Sequence, residues 1–258
     1  METLEEHRAR FESYLETLDL ADDLSGLTDA MRYALTGGGK RIRPVLCLAT
    51  GEAAGADPAD LLAAATAVEL VHSFSLVHDD LPALDDDDVR RGRPSAHVEY
   101  GEAVAILAGD ALLAQALALA LTYEHPAVAR ELVQATLGMI GGQYLDVTDG
   151  RGEVGRLHAL KTGRLFGAAV GTALWIAGVP PEEQRSWRAF ADEFGSLFQL
   201  VDDLVDRDGI VTERGEDEAR ALAERAEERA RARLDEIPAD TSRLDELVSG
   251  LSTRARAS

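Results

Sequence analysis

Apolar residues recur at helical spacing along most of the chain, and glycine or proline marks nearly every break. Leu4, Phe11, Leu15 and Leu18 share one face of a helix predicted over residues 2–18. Thr28 is placed to cap a short helix carrying Met31, Tyr33 and Leu35, which stops at Gly37-Gly38-Gly39, and Pro44 suits the first turn of the next helix. Asp57 and Pro58 open a long helix through Asp79, its packed sides carrying Leu61, Ala65, Val68, Val71, Phe74, Ser75 and Val77. The longest apolar stretch, Ala103 to Leu121, holds Asp110 and Gln115 and predicts a buried core helix, not a membrane span, interrupted at Gly109-Asp110. Pro126 starts a helix reaching Asp146, in which Gly141-Gly142 predicts a bulge or a close helix approach.

Further on, the small residues of LFGAAVGTALWIAG let neighbouring helices come close, and Pro180-Pro181 ends that unit. A helix follows over residues 182–207. After Gly209, ARALAERAEERARARLDEI carries an apolar stripe at Ala219, Leu222, Ala226, Ala230 and Leu234, a surface helix with no chemistry assigned, and the tail beyond Gly250 is expected to fray. The pattern predicts an all-α single-domain bundle of about ten helices around a central cavity.

Composition supports helices: Leu and Ala dominate and β-branched and aromatic residues are sparse. The net charge of −21 argues against nucleic acid or an anionic membrane as partner. The acidic, amphipathic N-terminus is not a signal peptide, and one cysteine, Cys47, in an apolar run cannot form an internal disulfide, so a cytoplasmic setting is expected. Only Lys40 and Lys161 are lysine among 26 basic residues. An acidic, lysine-poor chain suits a halophilic source, which also raises the background of chance aspartate clusters.

Against that background one stretch stands out, ELVHSFSLVHDDLPALDDDDVRRGRPSAH over residues 69–97. Asp79 and Asp85 are six apart, on opposite sides of an unbroken helix, so they share a metal only if Leu81-Pro82 opens the turn. A second pair, Asp202-Asp203 with Asp206, lies on one helix face with Gln199 a turn before. Carboxylates gathered at one mouth repel each other unless hard divalent cations bridge them. Mg²⁺ takes one or two carboxylates with phosphates and waters, and no Cys/His set has zinc spacing. A di-iron site needs two Glu-x-x-His pairs; Glu69 and His72 supply one, and there is no second. A separate basic group, Lys40, Arg43, His72 and Arg91, can hold an anion directly. Each part has a plainer reading: GGGK as a solvated loop, His72 as a core histidine, and Asp86 to Asp88 as an acidic helix terminus. Gln143 and Asp146, three apart, are placed to hydrogen-bond in a buried polar pocket.

The motifs GGGKRIRP, HSFSLVHDDLPALDDDDVRRGRP, GD, GQYLD, KTG and FQLVDDLVD stand in the order found in the trans-isoprenyl diphosphate synthases, the polyprenyl synthetase family, which the chain resembles from about residue 30 to 208. The resemblance implies an isoprenoid-synthase fold, one domain over 1–258 with its catalytic motifs within 37–206 and a shortened region over 209–258, and a homodimer. It implies Mg²⁺ on Asp79, Asp85 and Asp202, with Asp80, Asp203 and Asp206 in support. Arg90, Lys161, Thr162 and Gln199 would hold the allylic diphosphate, and Lys40, Arg43, His72 and Arg91 isopentenyl diphosphate. The resemblance implies condensation of the two into farnesyl (or geranylgeranyl) diphosphate and pyrophosphate, with Phe74, five residues before Asp79, as the cavity floor that would favour farnesyl over geranylgeranyl. The segment DRDGIVTERGEDEARA departs from the family in lacking a lysine. Two alternatives stay open: a catalytically weak partner subunit of another prenyl synthase, and a class I terpene cyclase.

Overall fold

The protein is described by a computed structural model over residues 1–20, 24–148 and 159–257. Twelve α-helices make up the described chain: α1 (Leu4–Glu16), α2 (Leu27–Thr36), α3 (Ile42–Ala53), α4 (Pro58–Asp79), α5 (Ala96–Tyr100), α6 (Glu102–Ala120), α7 (Pro126–Val147), α8 (Arg164–Ile176), α9 (Arg185–Asp206), α10 (Ile210–Arg214), α11 (Glu216–Asp235) and α12 (Ser242–Ala257). A two-residue hairpin, β1 (Val89–Arg90) and β2 (Arg93–Pro94), turns through Arg91 and Gly92 at φ 54° and 75°. The two left-handed residues are what a tight antiparallel turn demands.

The centre is α4, apolar all round because α3, α6 and α8 cover it. Asp57 caps its start, its carboxylate accepting from the Ala59 N–H at 2.8 Å, and Pro58 sits where its missing N–H costs nothing. One contiguous apolar cluster runs from Phe11 in α1 to Ala255 in α12. Phe166, Phe190, Phe194 and Phe198 stack along the junction of α8 and α9, with ring centroids 4.9 to 5.7 Å apart.

Five local expectations are decided by the structure, and four of them need correction. Thr28 lies inside α2, whose N-cap is Gly26, and its hydroxyl donates to the Ser25 carbonyl. Gly109 does not interrupt α6: a Cβ there would lie 2.2 Å from His78 Nε2, so the glycine is the seat of that ring. Gly142 marks a close approach and not a bulge, since a Cβ would meet the Lys161 backbone nitrogen at 2.7 Å. The irregular turn lies opposite it, a single π-turn over Ala159–Gly163. The tail is not frayed, because α12 continues to Ala257 and buries Leu244, Val248 and Leu251.

The fifth point concerns α6. Among the described residues α4 and α6 are long and apolar enough to cross a membrane by composition, but α4 is mostly buried in the core. Only 33% of the apolar window of α6 is buried, and Ile106, Leu107 and Leu121 face outward. The pattern alone makes α6 a core helix; the fold leaves one side of it bare.

Candidate active site

Helix α4 ends where the first aspartates begin. Asp80 caps it, and the chain then folds back, with the Asp85 N–H donating to the Asp79 carbonyl at 2.9 Å and the Asp87 N–H to the Asp80 carbonyl at 3.2 Å. Asp86, at φ 54°, completes the reversal. This open turn is what sharing by Asp79 and Asp85 requires. Burial, opposed by Lys161 and reinforced by Asp85, pushes the Asp79 carboxyl up to about 6. Asp85 is raised as well, first by burial and then by Asp146 and Asp87 against the pull of Lys161. Burial draws Lys161 downward, but its hydrogen bond to Asp146 (Nζ to Oδ2, 2.8 Å) and the charges of Asp79 and Asp85 outweigh it. The Lys161 ammonium thus sits among three carboxylates.

Asp80 does something different. It is 2% exposed and accepts from Arg90, whose Nε lies 2.8 Å from Oδ1, while Arg90 Nη2 also bonds Asp87 at 3.0 Å. The pair ties the helix end to the hairpin, so Asp80 and Arg90 are committed to each other here. The adjacent Arg91 turns the other way and donates to the Gly38 carbonyl. Gly39 stands at φ 134°, which side-chain-bearing residues rarely adopt, and a Cβ there would lie 2.8 Å from that guanidinium and push it aside. Tyr33 holds the hairpin from the far side, its hydroxyl donating to the Pro94 carbonyl at 2.8 Å.

The basic group gathers behind this hairpin. Arg43 lies 4.6 Å from the Phe166 ring centroid and 5.7 Å from that of Phe198, and burial draws it down to about 10. Its Nε is buried with no hydrogen-bond partner, an orphan donor of the kind an anion satisfies. His72 belongs with it, but not as a cation. Burial, then Arg43, Arg91, Arg41 and Arg90, hold His72 well below the ordinary histidine range, so it offers a neutral N–H. Lys40 is exposed and lies in the field of Asp202, Asp206 and Arg254.

On α9, Asp202 accepts from Arg254 Nη1 at 2.6 Å. Asp203, 2% exposed, accepts from Gln199 Nε2 at 2.7 Å and from the Ile210 N–H at 3.0 Å, so it fastens the start of α10. Gly209 runs against that carboxylate, at 2.5 Å from where its Cβ would be. Gln199 also accepts from the Thr162 hydroxyl at 2.7 Å. Asp206 is exposed. Neighbouring residues of the π-turn thus touch both segments, Lys161 beside Asp79 and Asp85, and Thr162 through Gln199 to Asp203. Glu69, the half of a di-iron motif, is spent on Arg41 (2.7 Å).

An apolar cavity of about 510 Å³ opens below Asp79 and Lys161, walled by Phe74, Ser75, His78, Leu113, Met139 and Ile140. Phe74 stands edge-on to His78, ring centroids 4.9 Å apart. Gln143, expected to bond Asp146, instead lines this cavity with both amide atoms buried and unpartnered. Sequence reasoning passed over Arg41, Asp146 as the partner of Lys161, and Arg254. Arg41 and Asp146 lay within motifs, GGGKRIRP and GQYLD, that could have flagged them, and Arg254 lay within none.

Among the described residues no three acidic, histidine or cysteine groups form a ready cation cage. The donor set still fits Mg²⁺, which needs one or two carboxylates and completes its shell with phosphate and water. Asp79 and Asp85, each pushed up first by burial and then by neighbouring carboxylates, are such a pair.

The profile of the polyprenyl synthetase family matches residues 25–218. The chain is 41% identical over 193 residues to a geranylgeranyl diphosphate synthase of Cyanophora paradoxa, an alignment covering 69% of this chain and 64% of that protein. It is 39% identical over 211 residues to the farnesyl diphosphate synthase of Bacillus subtilis, covering 76% and 70%. The match thus spans just under two thirds of the first relative's length. Among solved structures, a geranyltransferase from Legionella pneumophila superposes with a TM-score of 0.91 at 32% identity, covering 98% of this chain and 96% of that one. A geranyltranstransferase from Thermotoga maritima gives 0.88 at 32% identity, with 99% of each chain covered. A fold shared end to end with such proteins, a family profile over residues 25–218, and four of the six motifs lining one cavity lead to a single assignment: the chain belongs to the polyprenyl synthetase family of trans-isoprenyl diphosphate synthases.

Proposed function

We propose that this family member is a Mg²⁺-dependent short-chain prenyltransferase joining an allylic diphosphate to isopentenyl diphosphate, with farnesyl diphosphate and pyrophosphate as products. The observation that carries the reading is the meeting of Asp79, Asp85 and Lys161 at the mouth of the 510 Å³ apolar cavity. Mg²⁺, when bound on Asp79, Asp85 and Asp202, would supply charge stabilisation for the departing pyrophosphate. Lys161 neutralises the same anion from the protein side, and Thr162 and Gln199 hold the π-turn that carries it.

The allylic C1–O bond breaks with its electron pair going to pyrophosphate. The isopentenyl double bond then attacks C1, and the released pyrophosphate takes the proton lost. Arg43, with its unpartnered buried N–H, together with Arg91, Lys40 and neutral His72, would orient the isopentenyl diphosphate. That second anion site is the reason to prefer condensation over a cyclase, which handles one diphosphate. The cavity wall keeps water from the cation, and Phe74 in that wall favours a farnesyl product.

The bare faces of α6 and α7, with Ile106, Leu107, Val133 and Leu137 exposed, support a homodimer. The net charge of −21 with two lysines supports a halophilic source, and the single free cysteine, Cys47, supports a cytoplasmic setting. The test is incubation of the purified chain alone with Mg²⁺, dimethylallyl and isopentenyl diphosphates, followed by chromatography. Farnesyl diphosphate is expected. Product only after adding another synthase would make the chain a partner subunit, and isopentenyl-independent hydrocarbon would make it a cyclase.

A further inference from the structure

We propose that Arg254 is a positioning residue of the second aspartate segment, holding Asp202 in the metal-free chain and competing with the divalent cation for that carboxylate. The inference rests on the prenyltransferase reading above. Arg254 Nη1 donates to Asp202 Oδ1 at 2.6 Å, and both side chains are partly buried, at 28% and 29% exposure. The contact links residues 52 apart, so no local helix geometry forces it. Helix α12 carries the arginine in its last turns and is anchored by Leu244, Val248, Leu251 and Ala255 in the core. Other arginines of this region pair within it: Arg220 with Glu216, Arg231 with Glu227 and Asp245, and Arg256 with Glu227. Arg254 alone among these four reaches the site.

The three aspartates of α9 are thereby sorted. Asp203 is consumed by Gln199 and the Ile210 N–H, Asp206 is open to water, and Asp202 is held by a guanidinium. Arg254 holds only Oδ1 of Asp202, so Mg²⁺ on Oδ2 at about 2.1 Å would set a second cation on the same carboxylate, and each cation weakens the hold of the other. A released Arg254 would lie beside Lys40, which forms no side-chain hydrogen bond or ion pair among the described residues and already feels the Arg254 charge. Two neighbouring cations without an acceptor favour an anion between them, so displacement of Arg254 would couple cation loading to the Lys40 side of the site.

The experiment is calorimetric titration of the full chain with Mn²⁺ in the presence of inorganic pyrophosphate, for wild type, R254A, D202N and the double variant. R254A should tighten Mn²⁺ binding about twofold to fivefold, the scale of a partly exposed ion pair, and the change should vanish in the D202N background. R256A, which removes the same charge from the same helix end but pairs with Glu227 at 3.7 Å, should leave binding unaltered. R254Q keeps the packed stem and serves if R254A melts early. Unchanged binding in R254A, a gain matched by R256A, or a loss seen in both backgrounds would each overturn the proposal, the last by placing Arg254 on pyrophosphate. A wild-type chain that binds no Mn²⁺ with pyrophosphate would instead sink the prenyltransferase reading.

Discussion

Arg41 shows how much one unflagged side chain can carry. It sits at φ 50°, is 4% exposed, and donates to Glu12, Glu69 and the Leu35 carbonyl at 2.6 to 2.7 Å. In the sequence it is one of three basic residues in GGGKRIRP, indistinguishable from Lys40 and Arg43. The backbone twist turns it inward, away from the face that carries its neighbours. Removing Glu69 as Glu69→Ala leaves a buried guanidinium short of a partner and should cost about 3–5 kcal/mol in urea unfolding. Cys47 gives a prediction with the opposite character. Burial pushes its thiol up to about 12, eased only by Thr172, so the native chain should not react with a thiol reagent at pH 8 and should react fully in denaturant. Because the folded state resists ionisation, stability should be unaffected below the ordinary thiol range and fall as pH rises from there toward 12. A native thiol that reacts within minutes at pH 8 would contradict that burial.

At the scale of elements, adjacent glycines in α7 do opposite things. Gly141 has nothing within 4 Å of its Cβ direction, whereas Gly142 faces the Lys161 backbone. Gly141→Ala should therefore stabilise the chain by about 0.5–1 kcal/mol through helix propensity. Gly142→Ala must move the π-turn, and with it Lys161, so activity should fall at least tenfold (about 1.4 kcal/mol in the barrier) even where the melt is little changed. Equal behaviour of the two variants would mean that the approach is looser than 2.7 Å implies. Helix α12 supplies the second case. Leu251 is 4% exposed, so Leu251→Ala should cost about 2–4 kcal/mol, and amide exchange over residues 248–255 should be slow. Sequence pattern could not have shown this, because an Arg- and Ser-rich end reads as solvated until another helix is seen to cover its apolar side.

The molecule as a whole carries one strong charge and one bare apolar face. With a net charge of −21, self-repulsion should be relieved by salt, so the melting temperature should rise between 0.1 M and molar KCl. A melting temperature that stays level or drops would count against a halophilic design. On the faces of α6 and α7, Leu137→Glu should shift the chain toward monomer in light scattering, because Leu137 is 64% exposed and its loss disturbs no core. Unchanged mass would place any self-association elsewhere.

Helical period, proline and glycine punctuation and the order of the acidic and basic motifs were determined by the sequence alone, since each depends on residues a few positions apart. The open turn between Asp79 and Asp85 stood in the sequence only as a condition, because Pro82 permits a kink without requiring one, and the folded chain supplies it. What only the tertiary structure decided is which charged groups are spent on each other. Asp80 goes to Arg90, Asp203 to Gln199 and the Ile210 N–H, Glu69 to Arg41, and Asp202 to Arg254. The Arg41–Glu69 and Arg254–Asp202 pairings span 28 and 52 residues and are set by helix packing and burial, to which the one-dimensional order of charges is blind. The protonation of His72 was decided in the same way, first by burial and then by arginines that arrive from other elements, which together hold it below the ordinary histidine range.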